Sequence, residues 1–245
     1  MIALPILIPL LTVVLLMFSS RPSYQKAVGV GGAALLFAVS IFLFSNVAGK
    51  EILVLQAGNW EAPFGISLVV DTFSALMLLI TGFTGFALAI YSIYYIEEKL
   101  ITHRFFLFFH TLLMGVNGAF TTGDIFNLYV WFEVLLMSSF VLITLGSKPG
   151  QLKGGIKYLT MNLVASLFFL AGIGILYGKT GTLNMAHLAE ILRNDNEAVL
   201  MNTSTSLFFM AFSIKAAIFP FFFWLPSSYH TPPVAITAFF AALLT

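Results

Sequence analysis

The sequence predicts an all-α polytopic membrane protein, and three observations carry that expectation. Of its 245 residues, 60% are hydrophobic and 9% charged, where a soluble domain has about 25% charged. Mean hydropathy is +1.00. The charges gather in short stretches between apolar runs, most of them near the about 20 residues that cross a bilayer as a helix. The lipid bilayer is therefore the first expected partner. A net charge of +1 with no basic tail gives no sign of nucleic acid, and the absence of cysteine excludes disulfides and thiolate metal sites.

Seven spans are predicted, at roughly 2–18, 27–47, 71–96, 105–120, 125–146, 156–177 and 200–224, in a single transmembrane domain over 1–245. The first, "MIALPILIPLLTVVLLMF", lacks the basic leader of a cleaved signal and reads as a membrane helix. The first and fourth are short but fit inside a bundle. An eighth run begins at Val234 and stops at Thr245. Twelve residues rise only about 18 Å, so the chain reads as truncated within its eighth helix. Between the second and third spans, "EILVLQAGNWEAPFGISLVV" places two apolar runs around a Gly-Asn turn signal, a hairpin pattern. In "NMAHLAEILRN", Met185, Leu188, Ile191 and Leu192 share one helical face behind Asn184, an N-cap. That pattern predicts a short helix lying on the membrane surface. Asp71 and Asp124 stand where N-caps of the third and fifth spans belong.

Orientation follows from lysine and arginine. One set of alternate loops holds Arg21, Lys26, Lys99, Arg104, Lys148, Lys153 and Lys157; the other holds Lys50, Lys179 and Arg193. The richer set belongs inside, so the N-terminus is expected outside. The loop acids Glu51, Glu61, Asp124, Glu190, Asp195 and Glu197 fall on the outer side.

Two charges lie well inside predicted spans: Glu133 in "LYVWFEVLLMSSF" and Lys215 in "FFMAFSIKAAIFPFFFW". A charge at the bilayer centre costs about 2.5–3.5 kcal/mol on insertion scales. An acid and an amine can hold each other charged, or turn neutral together when a proton passes. A proton relay needs that property; a fixed ion pair that sets helix packing is the competing reading. Pro220 cannot donate to the carbonyl of Ala216, so the seventh helix should kink or break beside Lys215. Broken backbone at that depth is tolerated where it lines a cavity or water. His110 lies within the fourth span, as a relay group or an ordinary core histidine. His230, in "LPSSYHTPP", follows the seventh span on the inner side, where it could serve as a proton exit group. His103 and His187 read as loop residues. Ser138, Ser139, Thr160 and Asn162 could extend a polar path or bond helix to helix. No GxGxxG, Walker A, HExxH or GxSxG pattern occurs, and no cofactor or metal is called for.

The stretches "APFGISLVVDTFSALMLL", "VNGAFTTGDIFNLYVWFEVLLMSSFVLI", "YGKTGTLNMAHLAEIL" and "SIKAAIFPFFFWLPSSYHTPP" together resemble the D-type subunits of Mrp-type multisubunit cation/proton antiporters. The wider family includes antiporter-like subunits of respiratory complex I and of membrane-bound hydrogenases. The resemblance covers nearly the whole chain. It implies the N-terminal part of a fourteen-helix antiporter-like fold with a discontinuous seventh helix. A first five-helix repeat would start at about 105, and the second repeat would be absent. It maps the family's fifth-helix glutamate onto Glu133 and its seventh-helix lysine onto Lys215. Here "KAAIFP" replaces the glycine pair usual after that lysine.

The resemblance implies a transporter subunit in a bacterial cell membrane, not an enzyme, exchanging a monovalent cation, sodium being expected, for protons. Its partners would be the other membrane subunits of the complex, and Glu133 and Lys215 would form the proton path. The alternative is an antiporter-like proton-pumping subunit of a redox complex, with the redox centres in partner chains.

Overall fold

The computed structural model describes residues 1–49, 52–193 and 198–244. Lys50, Glu51, Asp195, Glu197 and Thr245, used in the charge and chain-end readings, lie outside the described residues.

Each apolar run folds as a helix, and the punctuation between runs sets the ends. Helix α1 (Leu4–Met17) has Pro5 in its first turn and Pro9 inside. Helix α2 (Pro22–Val47) starts on a proline, whose missing N–H belongs to the unsatisfied first turn anyway. Strands β1 (Leu53–Gln56) and β2 (Ser67–Val70) form the expected hairpin, antiparallel with Leu53 opposite Val70 and Gln56 opposite Ser67. Gly58 and Asn59 do take positive φ, 65° and 60°. They do not close the strands directly, however: the loop runs on through exposed Trp60 and Phe64 before returning at Ser67.

Helix α3 (Thr72–Tyr95) is capped by Asp71, which accepts from the Ser74 amide at 2.7 Å. That bond holds the Asp71 carboxyl below its ordinary pKa by favouring the charged form. A single turn, α4 (Glu98–Thr102), leads to Arg104 at φ 71° and into α5 (Phe105–Thr121). Asp124 caps α6 (Ile125–Thr144) by accepting from the Asn127 amide at 2.8 Å. Helix α7 (Pro149–Thr180) has 32 residues and ends on left-handed Gly181.

The sequence placed this span at 156–177 and counted Lys153 and Lys157 with the loop before it. Both lie on the helix's opening turns, because a helix that meets polar surroundings need not stop where its apolar run stops. Helix α8 (Met185–Arg193) is capped as expected, the His187 amide bonding to Asn184 Oδ1 at 3.2 Å. Leu188 is buried on its apolar face. Helices α9 (Ala198–Lys215), α10 (Trp224–Tyr229) and α11 (Val234–Leu243) complete the described chain.

Among the described residues, four helices, α2, α3, α6 and α7, are long and apolar enough to cross a membrane. Helices α1, α2, α3 and α5 pack as one group; α6, α7 and α9 continue from α5, α10 lies on α7, and α11 lies on α3. The aromatic run of α5 sits at the centre: Phe105, Phe106 and Phe109 are buried together, and Phe109 meets Phe239 of α11 edge-on. At the hairpin end, backbone bonds join three segments. The Gly123 amide donates to Ser67 O at 2.8 Å, Met185 N–H to Gly123 O at 2.8 Å and Ile125 N–H to Leu183 O at 2.9 Å. The starts of α6 and α8 are thereby tied to β2.

Candidate proton-handling site

The site is built on the end of α9. The sequence expected Pro220 to break the helix beside Lys215; α9 ends at Lys215, through a turn that lies ahead of the proline. Ala217 takes the left-handed conformation, φ 51°. The Ala217 amide bonds to Ile214 O at 3.2 Å and the Ile218 amide to Ser213 O at 3.0 Å. These are the two bonds of a Schellman termination, in which a left-handed residue turns the chain off the helix axis and satisfies its last carbonyls. The indole of Trp224 adds a third donor, Nε1 to Ile214 O at 3.0 Å. Pro220 follows the turn and prevents the helix from resuming; a short 3₁₀ turn, Phe221–Phe223, leads into α10. The lysine thus becomes the last residue of a half-helix, beside carbonyls that already have partners.

Lys215 lines a cavity of ≈ 330 Å³ between α5, α6, α7, α9, α10 and the end of α11. Apolar side chains dominate the lining, with polar groups supplied by Lys215, Tyr158, Asn162 and Tyr229. The Lys215 ammonium stands 4.7 Å from the centre of the Phe132 ring, within the range of a cation–π contact. Tyr158 is buried against Trp224 and pairs its hydroxyl with Ser139 Oγ at 2.7 Å.

Glu133 follows Phe132 on α6. Its Oε1 is buried and has no hydrogen-bond partner. Glu133 and Lys215 make no ion pair within the 4.0 Å limit among the described residues. The structure therefore joins the two through Phe132, which neighbours Glu133 in sequence and carries the Lys215 ammonium over its ring, without an ion pair between them.

The two histidines go elsewhere. His110 faces α2 and bonds Nε2 to Gly29 O at 2.8 Å, and it is not among the cavity's lining residues. His230 is exposed at the end of α10, its Nδ1 held by Pro226 O. Helix α10 docks on the lysine-rich end of α7, where Ser228 Oγ donates to Gly154 O at 2.9 Å and Lys157 reaches Ser227. Of the polar-path candidates, Asn162 lines the cavity and Ser139 touches it through Tyr158. Ser138 bonds back to its own helix, and Thr160 is exposed. Sequence reasoning passed over Tyr158 and Trp224. The available signal was an aromatic with a polar atom in an apolar span, which needs a partner when buried.

The chain resembles subunits of membrane-bound antiporter and respiratory complexes. Residues 122–245 match the family described as "NADH:quinone oxidoreductase/Mrp antiporter, TM", and residues 55–106 match "NADH-Ubiquinone oxidoreductase (complex I), chain 5 N-terminus". The chain is 40% identical, over its whole length and 50% of the relative, to the D-type subunit of the Na(+)/H(+) antiporter of Alkalihalophilus pseudofirmus. It is 42% identical to the D-type subunit of a probable K(+)/H(+) antiporter of Rhizobium meliloti, over 96% of this chain and 45% of that one. Among solved structures, a chain of the Mrp complex from Dietzia superposes with a TM-score of 0.90 at 30% identity, covering 100% of this chain and 46% of that one. This chain spans about half the length of the relatives it matches.

Proposed function

This chain belongs to the NADH:quinone oxidoreductase/Mrp antiporter transmembrane family, and on that premise we propose that it is a subunit of a multisubunit monovalent cation/proton antiporter, with Glu133 and Lys215 on its proton path. The observation that carries the reading is the placement of Lys215: the last residue of a broken half-helix, on the wall of a cavity, over the ring of Phe132, whose neighbour Glu133 keeps one buried, unpaired carboxylate oxygen. Lys215 alternately holds and releases a proton, and Glu133 tunes how tightly it is held. Because no direct ion pair locks them, a proton can change the state of either group without first breaking a contact.

Asn162 and the Tyr158–Ser139 pair extend the polar wall toward the lysine-rich end, where His230 can pass a proton to water. His110 stands apart from this route and would act from the α2 side. The cation exchanged is sodium, after the Alkalihalophilus relative, and the working unit includes other membrane subunits. The chain itself makes and breaks no covalent bonds. It is a multi-pass protein of the bacterial cell membrane with its N-terminus outside. The helices from Phe105 onward form the family's first five-helix repeat.

A second reading draws on the family description, which also covers NADH:quinone oxidoreductases: a proton-pumping subunit of a redox complex. Transport driven by NADH oxidation rather than by a cation gradient would select it.

The test is cation-induced collapse of a respiratory pH gradient in everted vesicles of an antiporter-deficient bacterium carrying the assembled complex. Glu133→Ala and Lys215→Ala should each lower exchange by at least about tenfold, about 1.4 kcal/mol or more. Glu133→Asp should fall between them and the unmutated protein. Normal exchange in both alanine variants would sink the proposal. Full exchange after joint replacement of Glu133 and Lys215 by apolar residues of matched volume would favour the packing reading.

A further inference from the structure

A second set of buried polar groups lies outside the Lys215 cavity, in the seam between α1, α2 and α5. Three side chains there are 0% exposed: Gln25, His110 and Asn117. Each donates to a backbone carbonyl. Gln25 Nε2 donates to Leu16 O at 2.8 Å and Ser19 O at 2.6 Å, carbonyls at the end of α1. His110 bonds Nε2 to Gly29 O at 2.8 Å. Asn117 Nδ2 donates to Pro5 O at 3.0 Å, a carbonyl whose helical donor is missing because residue 9 is proline.

A carbonyl can only accept, so these contacts fix which end of each side chain is the donor. Nε2 of His110 carries the hydrogen, and Gln25 and Asn117 turn their nitrogens to the backbone. The opposite atoms are therefore all acceptors: Gln25 Oε1, His110 Nδ1 and Asn117 Oδ1. All three are buried without a hydrogen-bond partner. Buried acceptors are rarely left so, and a cluster of them marks a place for a hydrogen-bond donor.

The three also form a line. His110 and Asn117 are two turns apart on one face of α5, about 10 Å of rise. Gln25 and Gly29 are one turn apart on α2, about 6 Å. Together they run along roughly half of a hydrocarbon core about 30 Å thick. At the lysine-rich end, the Arg104 guanidinium bonds the carbonyls of Leu16 and Ser19 beside Gln25. That fixed positive charge disfavours a metal cation and leaves a neutral donor, water, as the fitting occupant.

We propose that the α1–α2–α5 seam binds a file of water that reaches Gln25, His110 and Asn117, a hydrated route separate from the Lys215 cavity. Water donates to each lone acceptor, and His110 Nδ1 is the one site along the file that can take up a proton. The proposal does not depend on the exchange reaction, because its test reads hydration rather than transport.

The chain has no cysteine, so a single introduced thiol reports its own surroundings. In membranes holding the assembled complex, Asn117→Cys and His110→Cys are exposed to Ag⁺, which needs water and a thiolate to react. Ala89→Cys, equally buried among apolar neighbours of α3, is the control. The seam thiols should react at least about tenfold faster than the control. A second measurement uses the unmutated complex: hydroxyl radicals formed by an X-ray pulse from bound water should oxidise His110 well above Phe239 of α11, which is as deeply buried but outside the seam. Seam thiols no faster than Ala89→Cys, or His110 oxidised no more than Phe239, would overturn the proposal.

Discussion

Ala217 carries the largest local cost at the site. A left-handed backbone costs an L-residue about 1–2 kcal/mol, and at φ 51° Ala217 sits where glycine is free of that cost. The break beside Lys215 is held by its surroundings: two Schellman bonds and the Trp224 indole fix a shape the residue itself resists. Ala217→Gly should therefore stabilise the folded complex by about 1 kcal/mol, read as a rise in its thermal midpoint. A fall would mean that the turn is not strained. Lys215 shows the same dependence on context. Its identity was legible as a charge within an apolar span, whereas the cavity it lines comes from six helices and could not be read from "SIKAAIFP" alone.

At the scale of elements, glycines decide how closely helices approach. A Cβ on Gly154 would stand 2.6 Å from the Ser227 carbonyl oxygen, which is backbone and cannot swing aside. Helix α10 reaches α7 only because that Cβ is missing, and the docking brings Trp224 under the broken end of α9. Gly154→Ala should therefore cost roughly 1–3 kcal/mol. Gly150→Ala, one turn earlier with nothing within 4 Å, should stabilise α7 by about 0.5–1 kcal/mol. Thermal midpoints of the two variants should move in opposite directions; a shared direction would mean that α10 does not bear on Gly154. The limits of legibility lie here too. Asp71, Asp124 and Asn184 were readable as caps because a cap acts within three residues. The break beside Lys215 was legible through Pro220, but its geometry was not, since it includes Trp224, ten residues away in sequence from the carbonyl it caps.

For the whole molecule, the proposed orientation sets hairpin and lysine-rich end on opposite sides of the membrane. Glu61 in the hairpin loop and Lys153 on α7 are both exposed. In intact cells, a membrane-impermeant maleimide should label Glu61→Cys, and Lys153→Cys only after permeabilisation. The reverse pattern would invert the topology. The same arrangement keeps Lys215 and the α1–α2–α5 seam apart, since α5 turns His110 and Asn117 toward α1 and α2 while Val116 and Ala119 face the cavity.

The sequence by itself determined the membrane class, the helical runs, the hairpin, the caps and the two charges within apolar spans. Each follows from hydropathy, turn chemistry or a charge within a single short segment, where the physics is local. Tertiary structure alone decided that Glu133 and Lys215 form no ion pair while Lys215 lies over the ring of Phe132, next to Glu133, and that His110 faces α2. It also decided that Tyr158, Asn162 and Trp224 share the wall of one cavity. These outcomes depend on which helix faces pack together, and packing is set by shape and by close approaches such as Gly154 to α10, which no single segment encodes.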